Sequence, residues 1–428
     1  LYYFELVRRW GNIPLMTSTA MSNQHPSTFV QADPVDVYKL IEEDLLYACD
    51  ILPYAKDDTY RSSNNYRFSK GAALGLLAKV YATWAGYPIQ DTSKWEAAAK
   101  TARILVESGK HDLLNDYEQL WKNTCNGIWD PTESLIEISF YSPTYSGNSD
   151  PVGRIGKWNG VKTTVDAGRS GSTAANVQVV HSFVLDWREE AKPDETTGIS
   201  PDRRQNLSIA NYKHGHNDSK TGAVYLDDYY LAASIPNDNA ATALSKDLDP
   251  EKSQKAKQTY TPAKWDIDKY MESIPFINND KSTVNWYVLR YADVLLLYAE
   301  ALNEWKGGPT TEAYAAINKV RKRGYTKADG TINKDYSLKE GLDQTAFREA
   351  VHKERAYELA FEGHRRLDLV RWGVYYETVQ NTYNALKNWW SSANYVVYDY
   401  TEKGKHELMP IPQREMDLCT QFEQNPGW

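Results

Sequence analysis

The sequence predicts a mainly α-helical fold: a tetratricopeptide-like scaffold of paired α/α helices with an irregular, loop-rich insert and a few short strands. Three observations predict it. Segments toward both ends of the chain repeat apolar residues at spacings of three and four, the period of one helix face. They come in neighbouring pairs joined by short turns containing Gly or Pro, which makes adjacent helices antiparallel. Between the two groups, over residues 131–284, the periodicity gives way to Gly, Pro, Ser, Asn and Asp.

In the first group, "DPVDVYKLIEEDLLYACDILP" opens on an Asp-Pro start signal, runs through Val37, Leu40, Ile41, Leu45, Ala48 and Leu52, and stops at Pro53. Residues 69–86, "SKGAALGLLAKVYATWAG", place Leu74, Leu77, Ala78, Tyr81, Trp84 and Ala85 on one face. After Pro88, "TSKWEAAAKTARILVESGK" repeats the arrangement and ends at Gly109 as a C′ residue. Its Ala98, Ala99 and Ala102 let a partner helix approach closely. In the second group, "RYADVLLLYAEALNEWKGG" aligns Val294, Leu297, Tyr298, Ala301, Leu302 and Trp305 before Gly307 and Gly308. "TTEAYAAINKVRKRG" then supplies Ala313, Ala316, Ile317 and Val320. Ala-rich contact faces suit tetratricopeptide-style pairs, here with a degenerate repeat signature. The β-prone runs are "ESLIEISFYS" and "NWYVL".

The stretch "AFEGHRRLDLVRWGVYYETV", residues 360–379, mixes charge with apolar bulk. On a helix, Glu354, Glu358 and Glu362 share a face, and Arg365, Arg366 and Arg371 follow along the next turns. Acid before base is the favourable order for the helix dipole. Phe361, Leu367, Val370 and Trp372 are interleaved so tightly that some of these charges must sit at the edge of the core and need partners. The segment therefore reads as an architectural clamp and not as a catalytic site.

Composition narrows the function. A net charge of -8 and a pI near 5.6 argue against a nucleic-acid partner, which needs clustered Lys and Arg. No run approaches the length of a membrane-spanning helix. Cys49, Cys125 and Cys419 lie far apart and form neither a disulfide framework nor a thiolate metal site. The anomaly is 14 Trp and 31 Tyr in a chain whose mean hydropathy is only -0.64, so many rings must lie near the surface. Such rings suit sugars, which present CH faces and hydroxyl edges.

The ordered series "LRYADVLLLYAEALNE", "AINKVRKRG", "ERAYELAFEGHRRLDLVRWG", "LMPIPQREMD" and "QNPGW", with "YYFELVRRWGNIPL", "DLLYACDILP" and "GAALGLLAKVYA" before it, resembles the SusD/RagB family of outer-membrane nutrient-binding lipoproteins. The resemblance spans residues 1–122 and 286–428. It implies one domain over residues 1–428: helical pairs over 1–130, a variable ligand-binding segment over 131–284, and helical pairs with a tail over 285–428. It also implies a right-handed scaffold of four helical pairs, capture of a glycan at the cell surface, and a partner transporter of the SusC, TonB-dependent type. No catalytic machinery, cofactor or metal is implied. The family's lipid is carried on an N-terminal cysteine, and no cysteine precedes Cys49, so the anchor and a first helix are expected upstream of Leu1.

Family ligand residues follow no fixed motif, so candidates rest on chemistry. "SPTYSGNSDPVGRIGKWNGVKTT" offers Tyr145, Arg154, Trp158 and Asn159, an aromatic platform beside amide and guanidinium donors. The plain alternative makes Trp158 a loop anchor folded onto the scaffold. Trp187 in "SFVLDWREE" joins the candidate set, although its periodic segment favours core packing; Tyr229 and Tyr230 stand in reserve. His214, His216 and Asp218 are too crowded to make a metal site without a further ligand. The pairs Asp227 with Asp228 and Glu189 with Glu190 are the residue types a glycosidase uses, but adjacency does not set them across a substrate. Surface glycan binding is the leading reading. An all-helical glycoside hydrolase, a binder of a non-glycan nutrient and an intracellular peptide-binding scaffold are the alternatives.

Overall fold

The computed structural model describes residues 1–19, 21–59, 66–140, 153–163, 172–194, 199–210, 260–272, 280–386 and 400–428. The first helical group comprises α1 (Tyr2–Trp10), α2 (Pro34–Ile51), α3 (Lys70–Trp84), α4 (Lys94–Glu107) and α5 (Tyr117–Cys125). After β1 (Ser134–Ile138) come α6 (His181–Glu190), α7 (Arg203–Ser208), the short pair β2 (Ile209–Ala210) and β3 (Thr261–Pro262), and α8 (Ile267–Tyr270). Strand β4 (Trp286–Arg290) leads into α9 (Tyr291–Lys306), α10 (Thr311–Gly324), α11 (Gln344–Glu358), α12 (Arg365–Arg371), α13 (Tyr375–Leu386) and α14 (Gln413–Leu418).

The start and stop chemistry is as the sequence predicts. The Asp33 carboxylate accepts the Val35 amide at 2.8 Å, with Pro34 in the first turn of α2. Gly307 ends α9 in the left-handed conformation. The two β-prone runs pair with each other: β1 and β4 are antiparallel, with Ser134 opposite Arg290 and Ile138 opposite Trp286. They bring the two ends of the insert together.

Two helices depart from the one-faced pattern. In α3, every residue from 71 to 82 is buried, because α2, α4 and α9 pack around it. In α9, residues 291–303 are buried under α4, α10 and α11. A helix surrounded on all sides has no polar stripe to reveal its orientation. Central helices of this kind must also provide partners for any charge they carry. Lys79 on α3 meets Asp293 on α9 at 2.8 Å.

The acidic stretch does act as a clamp, but it is not one helix. Helix α11 stops at Glu358, Phe361 and Gly363 take positive φ of 69° and 82°, and α12 restarts at Arg365. The break lets Glu362 reach the Arg290 Nε at 2.7 Å and the Lys264 ammonium at 2.6 Å. Glu358 meets Arg323 at 2.5 Å, Arg290 at 3.0 Å and Arg204 at 3.1 Å, and Arg290 also holds Glu133 at 2.7 Å. Burial opposes ionisation of Glu358, yet the guanidiniums of Arg323, Arg290 and Arg204 hold its carboxyl well below the usual range. A second tier joins Arg355 to Asp293 and Asp368, and Arg371 to Glu300. Arg365 and Arg366 stay outside both tiers and donate to the carbonyls of His352 and His406. Because Arg204 and Lys264 come from the insert, the clamp ties that segment to the helical frame.

Candidate functional site

Residues 153–163 form a loop laid against the 264–267 segment. Its entrance is fixed by a bridge in which the Ser282 amide donates to the Gly153 carbonyl at 2.8 Å. The Arg154 carbonyl then accepts the amides of Lys157 and Trp158, both at 3.1 Å, so the chain turns tightly. Gly156 has φ of +81°, and a Cβ there would approach Ile267 Cγ2 to 2.6 Å. A Cβ on Gly160 would come within 2.8 Å of the Trp265 carbonyl. Two glycines thus allow the loop to lie directly on Trp265. That residue is buried, stacked on Trp286 with centroids 5.1 Å apart, and follows Lys264, which the clamp holds. Lys157 is buried beneath the loop, and burial lowers its amine to about 8 against the attraction of Asp268.

Trp158 projects from this seated loop and remains 41% exposed. Its indole N–H donates to Asp280 Oδ1 at 2.8 Å, and the Arg154 guanidinium lies over the ring, 4.6 Å from the centroid. Arg154 and Asp280 pair with each other at 3.0 Å. The three side chains therefore orient one another: the ring is held at its edge by a carboxylate and on one face by a cation. A ring fixed in this way and open to solvent is a preorganised stacking surface with charged donors and acceptors at its border.

The structure brings Arg154 and Trp158 together and gives Asn159 a different task. The Asn159 Oδ1 accepts the Gly156 amide at 2.8 Å and so closes the turn. Trp187 is corrected. It is fully buried, stacks on Tyr357 with centroids 4.8 Å apart and donates its N–H to Asp202 at 3.0 Å, so no face is available to a ligand. Tyr145, His214, His216, Asp218, Asp227, Asp228, Tyr229 and Tyr230 lie outside the described residues. Glu189 and Glu190 end α6, and Glu190 pairs with Arg321 at 3.1 Å. Among the described residues no cluster of His, Cys, Asp and Glu is placed to hold a metal ion. The residue that sequence reasoning missed is Asp280, 122 positions from the indole it holds; no local pattern could have linked them.

Known proteins match along the whole chain. The sequence model of the SusD family matches residues 132–428, and one described as starch-binding associating with outer membrane matches residues 1–82. A SusD homolog from Bacteroides thetaiotaomicron, known from a crystal structure, is 67% identical with a TM-score of 0.88, covering 100% of this chain and 76% of its own. A laminarin-binding SusD-like protein superposes with a TM-score of 0.62 at 25% identity, again over 100% of this chain and 76% of that one. A SusD-like protein of Formosa agariphila is 25% identical over 422 residues, 98% of this chain and 68% of the relative. With the first family model alone covering more than half of the sequence, and the fold shared throughout, the chain belongs to the SusD family.

Proposed function

We propose that the chain is a cell-surface binder of glycans or oligosaccharides, that the open indole of Trp158 is the platform on which a sugar ring stacks, and that no bond is made or broken there. The observation carrying this reading is the exposed ring held by Arg154 and Asp280 on a loop seated against the clamped frame. The name of the laminarin-binding relative supports a carbohydrate as the ligand class. The acidic cluster at Glu133, Glu354, Glu358 and Glu362 supports binding over hydrolysis, since each of these buried carboxylates is engaged by Arg or Lys and none faces a cleft.

The finer reading follows from the family. The bound glycan is delivered to a SusC-type, TonB-dependent transporter, and the protein is held at the outer membrane by a lipid. The chain acts as one domain in which 131–284 recognises and the flanking helices support. Among the described residues no helix is long and apolar enough to cross a membrane.

Calorimetric titration against a panel of polysaccharides and oligosaccharides, laminarin included, tests the reading. We expect one glycan class to bind and the Trp158→Ala variant to lose at least about tenfold in affinity. Steady release of new reducing ends, abolished by changing a single carboxylate, would overturn it in favour of a hydrolase.

A further inference from the structure

Helix α6, the break between α11 and α12, and helices α12 and α13 form an open pocket of about 350 Å³. Its floor is apolar, made by the buried side chains of Ala360, Leu369 and Val379. Phe183 and Phe361 supply an aromatic wall, with ring centroids 6.2 Å apart and planes at 86°. Phe361 stands there because the chain takes φ of +69° at this residue, a turn that a continuing helix would not make and that an aromatic residue rarely adopts. Phe183 is backed by Trp187 and Tyr357, at 5.5 and 6.0 Å, so the wall is held in place. One cation and one anion line the pocket, Arg365 and Asp186, and both are exposed. Arg365 gives one N–H to the His352 carbonyl at 3.2 Å, and its other guanidinium donors have no hydrogen-bond partner among the described residues. The Asp186 carboxylate makes no hydrogen bond or ion pair among them either.

The pocket continues the surface around Trp158. The Asn176 amide donates to the Trp158 carbonyl at 2.7 Å, and Gln178, two residues further on, lines the pocket. Two residues span at most roughly 7 Å, so one oligosaccharide can reach both places. The strip between them, residues 176–178, is exposed along its length. Floor and wall offer no hydrogen-bonding side chain, which suits a flat aromatic ring and not the hydroxyl edge of a sugar. The two border groups are equal and opposite in charge, so they favour a neutral ligand with a carbonyl for Arg365 and a hydroxyl for Asp186. A phenolic acyl ester has all three parts.

We propose that this pocket receives a phenolic acyl group carried as an ester by the glycan on Trp158, its ring against Phe183 and Phe361, its carbonyl oxygen accepting from Arg365 and its hydroxyl donating to Asp186. The inference rests on the glycan reading for the carrier and on the pocket alone for the acyl group. Calorimetric and thermal-shift titrations of the whole chain with methyl ferulate, methyl cinnamate and methyl acetate test the pocket without any glycan. Methyl ferulate should raise the melting temperature in a concentration-dependent way, and methyl acetate should not. Thr382→Trp at the rim and Ala360→Phe at the floor each fill the pocket and should weaken methyl ferulate by at least about tenfold, so the test survives the misfolding of either variant. Asp186→Asn should weaken methyl ferulate several-fold and leave methyl cinnamate, which lacks the hydroxyl, unchanged. The feruloylated form of an oligosaccharide that binds the chain should be held at least about tenfold tighter than its saponified form. No response to methyl ferulate, an equal response to methyl acetate, or binding that ignores both filling substitutions would overturn the pocket and leave the glycan reading standing. Equal affinity for the feruloylated and saponified forms, or methyl ferulate binding by a chain that binds no glycan, would overturn the glycan as carrier.

Discussion

Trp158 and Trp187 make the same hydrogen bond and do opposite things. Each indole donates to an aspartate, Asp280 at 2.8 Å and Asp202 at 3.0 Å, and each carries a partner on a ring face. For Trp187 the partner is Tyr357, within a closed cluster where an insert helix packs against the helical frame. For Trp158 it is the Arg154 guanidinium, on a loop of the insert that leaves the ring open. The difference lies in what surrounds the pair. In the closed cluster, the hydrogen bond satisfies a polar edge that burial would otherwise leave unpaired. In the insert, it fixes the angle at which an exposed ring meets solvent. The same distinction holds for charge: frame carboxylates such as Glu358 are buried among several guanidiniums, whereas Arg154 and Asp280 are half-exposed and pair across a ring.

Breaking the clamp should have the largest effect. Glu358→Ala leaves Arg204, Arg290 and Arg323 buried with their charge only partly matched, and we expect a loss of about 3–5 kcal/mol in chemical denaturation. If the variant unfolds within about 1 kcal/mol of the parent, the clamp does not organise the frame. Trp187→Ala should lose a comparable or slightly smaller amount, about 3–5 kcal/mol, by opening a cavity beside Tyr357.

Acid sharpens the contrast because the frame holds three histidines, His111, His352 and His364, neutral. Burial lowers His111 and His352 to about 4 and His364 to about 3, below the ordinary 6.5. Below pH 6.5 the unfolded chain therefore binds protons that the folded chain refuses, and stability falls as pH drops toward 4. Glu137 works in the other direction. Burial raises it to about 7, so between 4.5 and 7 the folded chain keeps a proton that the unfolded chain releases. Three histidines outweigh one carboxyl, and scanning calorimetry should show the melting temperature decreasing from pH 7 to pH 5. A flat or rising profile would mean that the histidines are not held neutral. On the insert, Asp280→Asn keeps the size of the side chain but removes the charge paired with Arg154, and should shift stability by no more than about 0.5 kcal/mol. Its mark should instead be a weaker glycan titration.

Local patterns made much of the frame legible. The Asp33 cap, the Gly307 stop and the two strand-forming runs are written in neighbouring residues, and the structure places each where the pattern puts it. What stayed hidden was non-local. The four-residue spacing of Glu354 and Glu358 signals a shared face but does not name Arg204, Arg290 or Glu133 as partners. Gly363 hints at the break after α11, whereas Phe361 at φ of +69° is set by tertiary contacts. All-round burial of α3 depends on how many neighbours a helix acquires, which its own sequence does not state. At the site, the loop's Trp158 and Arg154 could be picked out by chemistry, while Asp280 could be found only once the chain was folded.

The most direct test of this division of labour sets the two tryptophans against each other, measuring thermal stability and glycan affinity for Trp158→Ala and Trp187→Ala side by side. The account predicts that the first keeps its melting temperature and loses binding, while the second loses its melting temperature and, at temperatures where it remains folded, still binds. A Trp158→Ala protein that binds as tightly as its parent, or one that unfolds as readily as Trp187→Ala, would contradict it.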